Sequence, residues 1–218
     1  SGYSVRDLDS INPRLIGSVA VENGEALITI GADREDGDFQ LYLPNAFGVA
    51  QMDNDQDSRS LYAQIVLPLN KTLTTTLGVR KAKVDNDISD TGSFTFPVIN
   101  ENVKDSVTVT ELGFKLATSA SSSLSVRMDE NYRFAKIDEF SLAAGSILKT
   151  QEGVSWEASY AHDLGQSDYR ISVYKLDLKN EIFYDPSAGA FGANINLDKT
   201  VHNGVMFDYD IELSKSTE

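Results

Sequence analysis

The sequence contains no cysteine and only two histidines, His162 and His202. Without cysteine the chain has neither a disulfide framework nor a thiolate site, which argues against a small, disulfide-stabilised secreted domain. His162 falls in a predicted short turn and His202 in a predicted strand, and neither belongs to a Gly-x-Ser-x-Gly or His-Glu-x-x-His motif. We therefore interpret both as ordinary polar residues and predict no enzyme, no cofactor, and no catalytic, cofactor-binding or metal-binding residue.

Basic residues and long apolar runs are also scarce. The 19 Lys and Arg against 33 Asp and Glu give a formal net charge of -14, and so acidic a surface repels nucleic acid. No run reaches the roughly 20 apolar residues of a transmembrane helix, and residues 1–10 lack the basic and apolar regions of a signal peptide. A transmembrane β-barrel is not excluded, because its strands expose only every second residue to lipid.

What the sequence does contain is alternation with a period of two, the pattern of β-strands. In the clearest example, Val154, Trp156, Ala158 and Tyr160 alternate with polar residues. For the next strand we predict an outward apolar face and an inward charged face. The outward set is Tyr174, Leu176, Leu178, Ile182 and Tyr184, and the inward set is Lys175, Asp177, Lys179 and Glu181. Because a dry core does not tolerate such a row of charges, the polar side of the sheet is expected to face water.

The same alternation predicts about nine strands along the chain, connected by short and long segments in turn. Short turns are predicted at Glu22, Pro68, Thr118 and His162, and long acidic segments at 33–58, 83–106, 130–152 and 185–194. Tight turns at one end and long loops at the other are typical of an outer-membrane barrel, where the turns are periplasmic and the loops extracellular. The predicted fold class is therefore all-β, an antiparallel up-and-down transmembrane β-barrel.

Six segments, taken in order, resemble the barrel of TonB-dependent outer-membrane receptors. They are SRSLYAQ (58–64), LTTTLGVR (73–80), DENYRFAKIDE (129–139), LKTQEGVSWE (148–157), YKLDLKNEI (174–182) and NLDKTVHNGV (196–205). The last departs from the usual pattern, with Val201 where arginine is usual and Met206 where glutamate often stands.

The resemblance implies a bacterial outer-membrane receptor that takes up a scarce nutrient, such as a ferric siderophore or cobalamin. Such a receptor has a barrel of about 22 strands with a plugged lumen. In this family an N-terminal plug domain binds TonB, which transmits the energy of the inner-membrane proton-motive force. The expected partners are therefore a small-molecule ligand, TonB through the plug, and outer-membrane lipid.

The sequence departs from the family in what it omits: a plug domain, a segment that contacts TonB, and a terminal strand ending in an aromatic residue. We therefore expect residues 1–218 to be a single, partial barrel domain. Nine strands would leave two open sheet edges and place the two chain ends on opposite sides of the membrane. We therefore hypothesise that the sequence is a truncated fragment of a receptor.

Two acidic stretches, both in predicted long segments, suggest a calcium site. Their residues are Asp53, Asp55 and Asp57 in the first stretch and Asp85 and Asp87 in the second. Alternating carboxylates suit Ca²⁺, which binds six to eight oxygens. The first stretch begins like an EF-hand loop but has Ser58 in place of glycine and Gln64 in place of the bidentate glutamate. A solvated acidic loop is the default interpretation, and a calcium site shared by the two segments is the alternative.

By analogy with the family, ligand selection is expected at the tips of the extracellular loops. The segments concerned are 94–102 and 132–140. Arg127 and Arg133 would attract an anionic chelate, or else pair with the neighbouring carboxylates of Asp129 and Glu130.

Two other classes of protein fit parts of the pattern. A self-contained, porin-like barrel of 8 to 10 strands would conduct passively. A soluble β-sandwich binding module would need both sheet faces partly polar, and its long loops would have no reason to lie at one end.

Overall fold

The computed structural model describes residues 2–45, 48–91, 99–143, 147–188 and 192–212. Ten strands account for most of them. The strands are β1 (Tyr3–Ile11), β2 (Arg14–Val21), β3 (Gly24–Asn45), β4 (Gly48–Pro68), β5 (Leu73–Asp90), β6 (Glu101–Ala117), β7 (Ser122–Arg133), β8 (Gln151–Asp163), β9 (Ser167–Asp185) and β10 (Ala193–Ile211). A 3-10 helical turn spans Glu139–Leu142. No helix in the described ranges is long and apolar enough to cross a membrane.

All ten strands form one antiparallel sheet in which each pairs with its neighbour in the chain. The exception is the start, where β1 and β2 both pair with β3. β1 pairs with residues 34–42 of β3, and β2 pairs with residues 24–31. Ten strands therefore occupy nine positions in the sheet; the sequence predicted about nine strands, and the additional one is β1. Within the described residues β1 and β10 do not pair with each other, so this sheet is not closed.

Several strands are much longer than the sequence predicts. Segments 33–58 and 83–106, predicted to be long loops, belong mostly to strands, because β3 continues to Asn45, β4 starts at Gly48, β5 continues to Asp90 and β6 starts at Glu101. The 21 residues of β4 reach roughly 70 Å along the strand at about 3.3 Å each. Tilted by about 45°, such a strand is about twice as tall as the apolar band of roughly 25 Å. The prediction failed because polar residues occur on both faces above the band, so regular alternation disappears although the ladder continues.

The register divides the side chains between two faces, since directly paired residues of antiparallel strands point to the same side. One row across β6 to β10 consists of Phe114, Val126, Ala158, Val173 and Val205. The adjacent row, on the opposite face, consists of Lys115, Ser125, Ser159, Ser172 and Met206. We call the first side the outer face and the second the inner face.

The outer face carries a continuous apolar belt that is open to its surroundings. Val173 is 50% exposed, Phe207 65% and Val205 71%. Large exposed apolar patches mark a surface that is covered in its working environment. A wall with one apolar and one polar face is the pattern of a membrane barrel whose outside meets lipid.

For β9 the predicted assignment of faces is mostly wrong. Lys175 pairs with Trp156 and Asp177 with Val154, which puts both charges on the outer face, and Tyr174 pairs with Glu157 on the inner face. By the same register Lys179 lies on the outer face and Leu176 and Leu178 on the inner face.

Glu181 faces inward as predicted, but through a local irregularity. Asn180 has a φ of 53°, which an asparagine tolerates better than most residues and which reverses the direction of the following side chain. The Glu181 carboxylate accepts a hydrogen bond from the Thr200 hydroxyl at 2.5 Å and lies 3.4 Å from His202 Nε2, both of which belong to the inner face of β10.

Candidate functional site

The inner face carries a chain of charged and polar side chains at the height of the apolar belt. The Arg80 guanidinium donates to Asp33 Oδ2 at 2.6 Å and to the Ser60 hydroxyl at 3.0 Å. Its carbon lies 4.5 Å from the centre of the Tyr62 ring, a cation–π contact. Tyr62 lies flat across Gly31, where a Cβ would fall 2.3 Å from the ring. The glycine therefore provides the space that holds Tyr62 under Arg80.

A second group on the same face joins β4, β6 and β7. Arg127 lies 2.5 Å from Asp129 and 3.6 Å from Glu111, and the Gln64 amide donates to Glu111 at 2.8 Å. The two groups border one hollow of about 500 Å³. Such a concave, charged surface is stable only against water or a polar partner. Arg127 thus pairs with Asp129, which was one of the two predicted alternatives.

Above this wall, the segment between β7 and β8 folds onto the inner face. Its apolar side chains form a small core with residues of β3, β4 and β5. The buried members are Phe39, Met52, Ile88, Ile99, Ala135, Ile137, Phe140, Ala143 and Leu148. Ile137 is 1% exposed. The described part of this connection therefore lies against the inner face of the sheet.

Hydrogen bonds and two ion pairs, Arg6–Asp138 at 3.5 Å and Arg133–Glu139, anchor the inserted segment. The fully buried Asn54 donates its side-chain N–H to the Ile137 carbonyl at 2.8 Å, and Gln56 donates to the Ala135 carbonyl at 3.1 Å. Arg133 binds both carboxylate oxygens of Glu139, at 2.9 and 2.8 Å. Both contacts come from one Arg133 nitrogen, and hydrogen bonds between ionised partners are stronger than neutral ones. Arg133 therefore positions the segment through Glu139; the pairing considered from the sequence was with Asp129 and Glu130.

The predicted ligand-selecting segments have different outcomes. Of 94–102, residues 94–98 lie outside the described residues, and Ile99 belongs to the buried core. Segment 132–140 does reach the inner side, but Ala135, Ile137 and Phe140 are buried in it. The anchoring residues Asn54 and Gln56 had no sequence signal, because their partners lie 83 and 79 positions away.

The acidic residues suspected of binding calcium lie in extended strands on the outer face, above the apolar belt. They form two rows across β1, β3, β4 and β5. The upper row consists of Asp7, Asp38, Asp55 and Asp87, and the lower row consists of Asp9, Asp36, Asp57 and Asp85. Asp53 lies further up on β4, opposite Gln40 and Ser89. In the described ranges no three acidic or histidine side chains converge on a point that could hold a metal ion.

The two rows differ in their counter-charges. Burial and the neighbouring carboxylate of Asp38 raise the pKa of Asp55 above its ordinary value. Burial opposes ionisation of Asp57 as well, but the hydrogen bond from Arg59 and the charges of Arg59 and Arg34 outweigh it and lower the pKa of Asp57. The lower row is thus partly neutralised by arginine, whereas the upper row carries opposed carboxylates.

His162 lies within β8 and not in a turn. On the outer face its ring is 5.7 Å from that of Tyr169, which is 6.1 Å from Tyr160 and 6.4 Å from Phe207. This cluster lies next to the β8–β9 turn, at the lower edge of the belt. Aromatic side chains at that level are typical of the membrane–water interface.

The fold and this two-faced wall define a class, the β-barrel proteins of the bacterial outer membrane. The chain belongs to the family of TonB-dependent receptors: residues 13–216 match the family described as "TonB dependent receptor-like, beta-barrel". That family consists of transporters of the outer membrane, and the predicted family and location are confirmed.

Solved structures of this family share the fold. The ferric-catecholate import receptor Fiu from E. coli K12 matches with a TM-score of 0.75 at 11% identity, over 98% of this chain and 36% of its own. The copper transporter OprC matches with a TM-score of 0.73 at 13% identity, over 97% of this chain and 35% of its own. The ferripyoverdine receptor of Pseudomonas aeruginosa matches with a TM-score of 0.72 at 12% identity, over 97% of this chain and 31% of its own. The chain thus spans about a third of each of these proteins. No curated protein matches its sequence.

Proposed function

We propose that this chain is part of the wall of a transporter that imports a scarce nutrient. The transporter uses energy that TonB transmits through a plug domain. The observation that carries the proposal is the charged inner wall formed by Arg80, Asp33, Arg127 and Asp129 behind an apolar outer belt. It supports a protein whose lumen holds a polar domain or water. It does not suit catalysis, and we propose no enzymatic activity.

The ligand we propose is a metal chelate of the siderophore class. Fiu is described as a ferric-catecholate import receptor, and the Pseudomonas protein was solved bound to ferripyoverdine. In this chain the inserted segment lies on the inner face, where it would narrow the lumen of a closed barrel and so favour recognition of particular solutes over free diffusion. Together these features favour a selective, energy-dependent step.

The test is uptake by cells that express the native receptor and lack other receptors of the family. Accumulation of a ferric catecholate, ferripyoverdine and copper is measured with TonB present and with TonB deleted. We expect accumulation of one chelate, abolished when TonB is absent. Accumulation that is equal without TonB would replace the proposal with a passive channel, and uptake of none of the three would reject the ligand class.

A further inference from the structure

On the outer face, a row of basic residues marks the upper edge of the apolar belt. Arg34 pairs with Arg59, and Arg59 with Lys83 in the ladder. Lys81 lies one step lower, opposite Leu61, which is 68% exposed. Like charges directly opposite each other in a sheet repel, so this row requires anions.

The carboxylates above the row satisfy only its arginines. Arg34 contacts Asp36 at 2.9 Å and Asp57 at 3.0 Å, and Arg59 also binds Asp57. Asp85, the next outer-face residue above Lys83 on β5, is bound by Lys104 at 2.6 Å. Neither Lys81 nor Lys83 has an ion-pair partner among the residues that the structure describes. Two exposed ammonium groups are therefore left facing outward.

Directly beside these lysines lies an apolar groove of about 390 Å³. Ile11, Pro13, Ala32 and Leu61 form its floor, and the four cations Arg34, Arg59, Lys81 and Lys83 line it together with Asp33 and Ser60. Pro13 lies between β1 and β2, and its carbonyl accepts a hydrogen bond from the Ala32 N–H at 3.1 Å. Ala32 contributes only a methyl group to the groove.

We propose that this groove and Lys81 and Lys83 bind a phosphorylated lipid of the outer leaflet. The apolar floor continues the belt and suits an acyl chain, while the lysine stems reach along apolar surface to place their ammonium groups at headgroup level. Clusters of basic residues at a membrane surface attract anionic headgroups. The two acidic rows above repel the phosphate and so confine it to the level of the basic row.

The experiment is lipid binding to the native receptor, purified in detergent and stripped of lipid, measured by native mass spectrometry. The probe is phosphatidic acid, compared with phosphatidylcholine carrying the same acyl chains. We expect the K81Q/K83Q variant to lose one tightly bound phosphatidic acid, with affinity weaker by roughly tenfold or more. K81R/K83R is expected to retain it, because the charge is kept.

The matched control is K71Q/K115Q, which removes two exposed lysines at the opposite end of the strands and should bind as the wild type does. A heat-modifiable band like that of the wild type shows that each variant is folded. Unchanged binding in K81Q/K83Q, equal binding of phosphatidylcholine, or full competition by millimolar inorganic phosphate would each overturn the proposal. The last result would mean a site for free phosphate.

Discussion

Asn54 lies fully buried on β4, and its side-chain amide donates to the backbone of Ile137, 83 positions further along the chain. Gln56, next on the same face, donates both to Asn86 Oδ1 at 2.7 Å and to Ala135. Leaving a buried donor without a partner costs about 1 to 3 kcal/mol. These two amides therefore favour the inserted position of the β7–β8 segment over any position that would leave them unpaired.

Ile137→Ala should release that segment. Ile137 is almost completely buried, and removal of a buried isoleucine side chain down to alanine costs about 2 to 5 kcal/mol, most of which would be lost locally. We expect amide hydrogen exchange in 134–143 to accelerate at least tenfold while β4 and β5 stay protected.

The matched control is Ile16→Ala on β2, where the isoleucine is 51% exposed and its loss should leave exchange in 134–143 unchanged. Equal protection of the segment in Ile137→Ala and wild type would show that the small core does not hold it.

Asp55→Asn should make the upper part of the sheet more stable at neutral pH. The folded-state pKa of Asp55 is raised by burial and by Asp38, so the folded sheet binds its proton more readily than the unfolded chain does. The resulting stability is present below the ordinary aspartate pKa and is lost as pH rises through the raised value. The variant should therefore melt above the wild type at pH 7, and the difference should vanish in acid.

Asp53→Asn is the control, because the ladder partners of Asp53 are Gln40 and Ser89 and its charge acts on Asp55 less than that of Asp38 does. Circular dichroism melts of the native receptor between pH 3 and 7 give the comparison. A pH-independent difference between Asp55→Asn and wild type, or an equal effect of Asp53→Asn, would contradict the account.

At the scale of the strand, β9 shows what a single sequence can and cannot predict. Its lower part has apolar residues at odd positions, Ile171 and Val173, and its middle has them at even positions, Leu176 and Leu178. Alternation alone fits either phase, and only pairing with Trp156 on β8 decides it. The existence of the hairpins was predictable, because local alternation and turns determine it, but the assignment of faces depends on neighbouring strands.

Leu77→Arg tests the outer face of β5 within the belt. Leu77 is 45% exposed, and its ladder partners are Ile65 and Leu112. An arginine at the lipid face near the middle of the membrane costs about 2 to 4 kcal/mol. We expect a correspondingly lower free energy of unfolding from lipid vesicles, measured by tryptophan fluorescence in urea.

The control is Gln64→Arg at nearly the same height on the inner face, where the new guanidinium would meet Glu111. That variant should lose less than 1 kcal/mol, as expected for a solvated ion pair. A reversed order of the two costs would mean that the faces are assigned wrongly.

For the whole molecule, the sequence predicted the class of fold because a membrane barrel repeats one rule, apolar outward and polar inward, where its strands cross the apolar belt. The position of the β7–β8 connection was not predictable. Its core joins Phe39, Met52 and Ile88 to Ile137, residues far apart in the chain, and no local pattern encodes such contacts. The calcium site was not a reliable prediction either, because the extended strand spaces Asp53, Asp55 and Asp57 along β4, where a loop would have gathered them.

The most direct test of the central claim, a wall with lipid outside and a polar lumen inside, is spin labelling of the native receptor in lipid vesicles. The described chain has no cysteine, so single cysteines can be placed along β7 and β9. Oxygen collides most often with labels in lipid. We predict high oxygen accessibility at Leu124 and Val126, low accessibility at Ser125, and the opposite parity on β9, with high values at Ile171 and Val173. Absence of alternation, or maxima at Ser125 and its inner-face neighbours, would contradict the account.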